Sequence, residues 1–238
     1  MFDRKISGLK EETDLIVLPE MFSTGFTMNA SALAETMDGA SIAWMRKTAA
    51  KKNCAITGSL IISENGNFYN RLIWMKPDGN FFQYDKRHLF RLAHEEQTYA
   101  PGKSRLLIEM KGWKIFPLVC FDLRFPVWSR RTKESGYDVL LYVANWPERR
   151  VTAWSQLLIA RAIENQCYVV GVNRIGNDGN DIYHSGESAV INYKGENICG
   201  INAHEEIIET VELHKEEMEN FRAQLPFLED ADSFTIKM

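Results

Sequence analysis

Three residues in this chain could attack, protonate or polarise a carbonyl, and each follows a short apolar run. Glu20 follows residues 15–18, Lys86 follows 81–84, and Cys120 follows 116–119. Loops at strand ends in α/β folds open onto a crevice, which is where ligand chemistry collects. A thiol, a carboxylate and an ammonium brought together there could carry out covalent acyl transfer. The sulfur would attack, the carboxylate would move its proton, and the ammonium would steady the developing charge. Taken singly, each has a plainer reading. A cysteine after a strand is more often a small buried hydrophobe, a lysine after a hairpin is usually solvated, and a Pro-Glu step is usually a turn. The combination is the signal. Metal chemistry has no comparable support: His88, His94, His184, His204 and His214 form no close-spaced ligand set. Cys54, Cys120, Cys167 and Cys199 include no CxxC pair, and all but Cys120 are expected to be inert. The expected chemistry needs no cofactor.

Those three residues need a framework of strands, and the patterning supplies one. Residues 2–9 repeat at helical spacing, and 15–18 form an all-apolar strand. Residues 41–53 predict a helix that Ser41 could cap. Strands at 55–62, 68–75 and 81–84 are separated by Glu64-Asn65-Gly66-Asn67 and Pro77-Asp78-Gly79-Asn80, which makes an antiparallel meander. In the second half, strands are predicted at 113–119, 139–144 and 168–172, with helices at 127–135 and 151–165. A hairpin-like pair follows at 188–193 and 197–201, then a strand at 207–213 and a helix at 215–224. Fully apolar strands beside alternating ones, with helices between, predict an α/β layered fold with a mixed sheet.

With 238 residues, no repeat and seven scattered prolines, the chain reads as a single domain, 1–238. Lys+Arg 28 against Asp+Glu 32 gives a net charge of −4, so no basic excess exists to meet a phosphate backbone and nucleic acid is excluded as a partner. The apolar runs are far shorter than the ~20 residues of a membrane helix. The residues at 1–14 show no signal core, which with the scattered cysteines predicts a cytoplasmic protein with reduced thiols.

At the motif level the chain resembles the nitrilase superfamily of carbon–nitrogen hydrolases. The resemblance is carried by Leu18-Pro19-Glu20-Met21-Phe22, by Tyr84-Asp85-Lys86-Arg87-His88-Leu89-Phe90 and by Leu118-Val119-Cys120-Phe121-Asp122-Leu123-Arg124-Phe125-Pro126. Further matches are Tyr142-Val143-Ala144-Asn145-Trp146-Pro147, residues 160–166 and residues 171–176. Met21-Phe22 and Asn145-Trp146-Pro147 look most like the omega-amidase branch, which releases ammonia from the terminal amide of 2-oxoglutaramate or 2-oxosuccinamate. The resemblance implies an αββα sandwich, at least a dimer, and a Glu20–Lys86–Cys120 triad acting on a small amide through a thioester. It also implies an apolar strand ahead of the first helix. No such strand precedes residues 15–18, so a shortened form with an open slot beside them is the expectation.

The superfamily commonly has a second Glu after the Lys strand. The register favours Glu95 over its neighbour Glu96, with a solvated acidic loop as the plainer reading. Four residues are candidates for substrate binding. Phe121 would offer its backbone N–H to an oxyanion. Arg124 would hold a carboxylate or make a structural salt bridge, and Trp146 and Phe26 would form pocket walls or belong to the core. Two other functions stay in view: hydrolysis of N-carbamoyl amino acids or aliphatic amides, and a catalytically silent binding protein. Retention of all three reactive residues argues against the silent protein.

Overall fold

The computed structural model describes residues 2–236. Helix α1 (Phe2–Ser7) precedes β1 (Leu15–Val17), α2 (Ala30–Leu33) and α3 (Ala40–Lys52), and then comes the meander β2 (Ala55–Glu64), β3 (Asn67–Met75) and β4 (Phe81–Asp85). The short α4 (Glu95–Thr98) leads to β5 (Ile108–Met110), β6 (Trp113–Val119), α5 (Pro126–Ser129) and β7 (Val139–Ala144). Next come α6 (Val151–Asn165), β8 (Tyr168–Asn173), the hairpin β9 (Ile175–Asn177) and β10 (Tyr183–Ser185), β11 (Ala189–Ile191) and α7 (Lys215–Gln224).

One sheet runs β1-β2-β3-β4, with β1 parallel to β2 and the remaining pairs antiparallel. The other runs β11-β8-β7-β6-β5, with three parallel inner strands and two antiparallel edges. The sheets share a core in which Leu72, Trp74 and Tyr84 meet Phe116, Leu118 and Leu140. Helix α3 covers the first sheet with Ile42, Met45 and Ala49, and α6 covers the second with Trp154, Leu158 and Ala162. This is the expected αββα sandwich with mixed sheets.

Local sequence explains the fit. Every residue of β7 is buried because sheet and helix cover its two faces, which suits its unbroken apolar run. Pro117 is tolerated inside β6 because β5 pairs only with Trp113 to Ile115, leaving no neighbour on that side to need its missing N–H. Gly171 lets α6 lie close on β8: a Cβ there would stand 2.6 Å from Leu158 and 2.8 Å from Trp154.

Four local expectations are corrected. Helix α3 starts without help from the Ser41 side chain as cap; instead the Glu35 carboxylate accepts the Ser41 backbone N–H at 2.7 Å. The helix predicted at 127–135 shrinks to α5, because Thr132 and Ser135 bond each other's backbone and side chain and so compete with helical pairing. The second strand of the pair at 197–201 reduces to a single bridge between Asn197 and Ile191. Residues 207–213 form no strand: Ile207 and Ile208 are exposed and no described strand lies beside them to pair. A groove of about 770 Å³ is lined in part by Ile6, Ile16, Leu18 and Val172.

Candidate active site

Glu20 leaves the end of β1 through a tight turn. Met21 adopts a left-handed backbone (φ 41°) and donates its N–H to Ser59 Oγ at 2.8 Å, which turns the Glu20 side chain inward. Buried to 1% exposure, its carboxylate is held from three sides. Oε1 accepts Asn70 Nδ2 at 2.7 Å and Lys86 Nζ at 3.0 Å, and Oε2 accepts the Asn145 backbone N–H at 2.8 Å.

Lys86 follows β4 and is anchored by its backbone, which donates to Asn70 O at 3.0 Å and accepts from Gly102 N at 2.9 Å. A Cβ on Gly102 would collide with Asp85 O, so glycine permits that close passage. The Lys86 ammonium is equally buried and also donates to Glu95, at 3.0 Å and 2.9 Å to the two carboxylate oxygens. Phe26 lies under it, 5.2 Å from the ammonium to the ring centre. Glu95 is fully buried at the start of α4 and accepts the Phe90 N–H at 2.6 Å. Glu96 makes no bond to Lys86; of the two neighbouring glutamates, Glu95 is the one turned inward.

Cys120 begins a tight helical turn immediately after β6, in a left-handed conformation (φ 44°) uncommon for a side chain of its kind. Asp122 holds this turn. Its Oδ2 accepts the Val119 N–H at 3.1 Å and Tyr84 Oη–H at 2.8 Å, while Oδ1 accepts the His88 N–H at 3.0 Å and lies 2.8 Å from His88 Nδ1.

The electrostatics follow from burial and proximity. Burial, then the neighbouring Glu20 carboxylate, pushes the Cys120 thiol well above its ordinary value, with Lys86 opposing. Burial works against the charge on Lys86, but Glu20 and Glu95 outweigh it and raise the ammonium above an ordinary lysine. Burial also lifts Glu95, Lys86 opposes that shift, and the like charge of Glu20 adds to it.

A cavity of about 310 Å³ opens over these groups, and its lining includes Glu20, Lys86, Cys120 and all four candidate binding residues, Phe26, Phe121, Arg124 and Trp146. Arg124 is exposed, with its guanidinium 5.0 Å from the Trp146 ring centre, and the structural salt bridge considered for it is not present among the described residues. Several participants escaped the sequence reading. Asn145 directly follows the apolar run of β7, but nothing local shows that it bonds Glu20. Asn70 sits inside β3, and no local pattern marks it out. Asp122 lies two residues past Cys120, and nothing in its spacing shows that four groups converge on it. Among the described residues no group of three or more His, Cys, Asp or Glu side chains could hold a metal ion.

The carbon–nitrogen hydrolase family pattern matches residues 5–223. Omega-amidase YafV of Escherichia coli (strain K12) is 45% identical over 235 residues, covering 99% of this chain and 90% of that protein. The 2-oxoglutaramate amidase of Bacillus subtilis (strain 168) is 34% identical over 223 residues, covering 92% of this chain and 85% of that protein. Among solved structures, a CN-hydrolase superfamily protein of Xanthomonas campestris with an arsenic adduct in its active site superposes with a TM-score of 0.96 at 43% identity, covering 99% of this chain and 91% of that one. Motif order, fold and these matches agree: the chain belongs to the carbon–nitrogen hydrolase family, in the omega-amidase-like branch of the nitrilase superfamily.

Proposed function

We propose that the protein is an omega-amidase that hydrolyses the terminal amide of a small 2-oxo dicarboxylic monoamide, such as 2-oxoglutaramate or 2-oxosuccinamate. The observation that carries this reading is that Glu20 and Lys86, the latter also ion-paired to buried Glu95, line one small cavity together with Cys120. The names and identities of the E. coli and B. subtilis relatives support the substrate class.

In the proposed reaction, Glu20 takes the Cys120 thiol proton as sulfur attacks the amide carbon. Because the resting thiol is pushed up, the sulfur needs this adjacent base at the moment of attack. The carbonyl electrons move to oxygen, where charged Lys86 and the Phe121 backbone N–H receive them. One such donor is typically worth about 3–4 kcal/mol in the transition state. When the tetrahedral species collapses, the C–N bond breaks, Glu20 returns its proton to nitrogen, and ammonia leaves a thioester. Water attacks that carbon with Glu20 again as base. The C–S bond then breaks, the sulfur regains its proton, and the carboxylic acid is released. Glu95 holds Lys86 in place for both steps.

The same reading makes the chain one catalytic domain that acts in the cytoplasm as a homodimer. Its four unpaired cysteines suit a reducing compartment, and no helix among the described residues is long and apolar enough to cross a membrane.

Ammonia release across a panel tests the proposal. Wild type should turn over 2-oxoglutaramate faster than N-carbamoyl amino acids or simple aliphatic amides, and Cys120→Ala should release none while keeping the native melt. Preference for N-carbamoyl compounds would overturn the substrate assignment. Turnover by Cys120→Ala would overturn the nucleophile.

A further inference from the structure

The cavity over Cys120 has a second chemical feature that the amide chemistry does not use. Arg124, Arg149 and Arg150 line it together. Arg149 and Arg124 are exposed and Arg150 is half-buried, whereas Glu20 and Lys86 are fully buried. The arginines therefore stand at the mouth and the reactive groups at the floor. Aromatic faces support two of them: Arg150 lies 5.1 Å from the Phe90 ring centre and Arg124 lies 5.0 Å from that of Trp146.

None of the three guanidinium groups has an ion-pair partner among the described residues. The acids nearby are engaged elsewhere. Asp178, which lines the same cavity, accepts the N–H groups of Asn180 at 2.8 Å and Ile182 at 3.0 Å, and Glu148 lies 3.6 Å from His204. Burial, then the like charges of Arg149 and Arg124, depresses Arg150 below an ordinary arginine. Crowded cations without an ion-pair partner, two of them set over aromatic rings, make a site that an anion relieves. Between this mouth and the floor the walls include Phe26, Trp146 and Ile182, which suits a short carbon chain.

We propose that Arg150, with Arg124 beside it, is the specificity-determining anion site of this cavity. It would bind the carboxylate at the end of the substrate remote from the scissile amide, so that the enzyme selects monoamides of short dicarboxylic acids over neutral amides. A guanidinium suits this task because its planar N–H groups match both carboxylate oxygens. The proposal rests on the amidase reading above, and its test separates the two.

Glutaramate and valeramide carry the same amide on the same length of chain, and only glutaramate ends in a carboxylate. Arg150→Gln should lower kcat/KM for glutaramate about 10- to 100-fold more than for valeramide, mainly through KM, and Arg150→Lys should recover part of the loss. Equal losses on both amides, or no loss on glutaramate, would overturn the proposal. Calorimetric binding of glutaramate to the folded Cys120→Ala protein, with and without Arg150→Gln, gives a readout free of turnover. A matching drop in affinity supports the site; unchanged affinity, or no binding by the Cys120→Ala protein, overturns it. Arg150-dependent binding without ammonia release by the wild type would refute the amidase reading alone.

Discussion

Lys86 sits between two buried carboxylates, so its removal does more than delete a donor. With Lys86→Met, Glu20 and Glu95 would face each other without a cation, and breaking a buried ion pair in this way typically costs about 3–5 kcal/mol. The expected outcome in urea denaturation is a loss of that size. Adding Glu95→Gln should recover part of it, because one of the two stranded charges is gone. Neither variant should regain turnover, since the oxyanion would still lack its cation. Full recovery of activity by the double variant would show that Lys86 serves only to neutralise the two acids. A second prediction concerns Cys120. Burial and the adjacent Glu20 push its thiol up, so its thiolate is scarce near neutrality. Alkylation of Cys120 by iodoacetamide, followed by mass spectrometry, should keep accelerating beyond the range where an ordinary thiol, with a pKa of about 8.5, levels off. A plateau near neutral pH would mean that a thiolate is already formed at rest.

At the scale of elements, the turn after β6 is held mainly by one side chain. Asp122 is fully buried and gathers the N–H groups of Val119 and His88, the Tyr84 hydroxyl and the His88 ring. The His88 ring in turn stacks on Phe125, 3.7 Å between centres, and so ties the segment after β4 to the segment after Cys120. Asp122→Ala would leave several buried donors without an acceptor, each worth about 1–3 kcal/mol. The expected outcome is a lower denaturation midpoint together with a fall in kcat larger than any rise in KM, because the left-handed turn at Cys120 loses its brace. Unchanged kcat in a folded variant would show that the turn holds its shape without Asp122. The 127–135 segment carries a related lesson: its apolar spacing suits a helix, but Thr132 and Ser135 offer the backbone closer partners.

At the scale of the whole molecule, Asp138 joins α7 to the second sheet. Its carboxylate accepts Arg222 at 2.9 Å, Lys215 at 3.1 Å and the Lys114 N–H at 3.1 Å. Burial opposes the charge, but these partners outweigh it and hold the carboxyl below its ordinary range. A depressed folded pKa contributes stability that is present above the unfolded value of about 3.9 and is lost as pH falls through the lower folded value. Asp138→Asn should therefore cost about 1–3 kcal/mol at neutral pH. The difference from wild type should close as denaturation is repeated at successively lower pH, below about pH 4. A gap that stayed constant into acid would assign the loss to packing.

The sequence alone determined the layered α/β fold, the strand ends bearing Glu20, Lys86 and Cys120, and the boundaries of α6 and α7, because each depends on a contiguous apolar pattern and the residue that ends it. The family resemblance implied a glutamate after the lysine strand, and the register favoured Glu95. Which glutamate, Glu95 or its neighbour, was decided only by the one-turn α4, whose register turns Glu95 toward Lys86 and leaves Glu96 aside. Asn70, Asn145 and Asp122 were likewise decided by tertiary structure: Asn145 reaches Glu20 across 125 residues of chain, and a polar side chain inside or beside a strand looks the same whether or not its partner exists. The strand predicted at 207–213 failed for the matching reason. Apolar alternation describes a face that needs covering, and only the packed sheets decide whether another strand lies beside it with free N–H and C=O groups to pair.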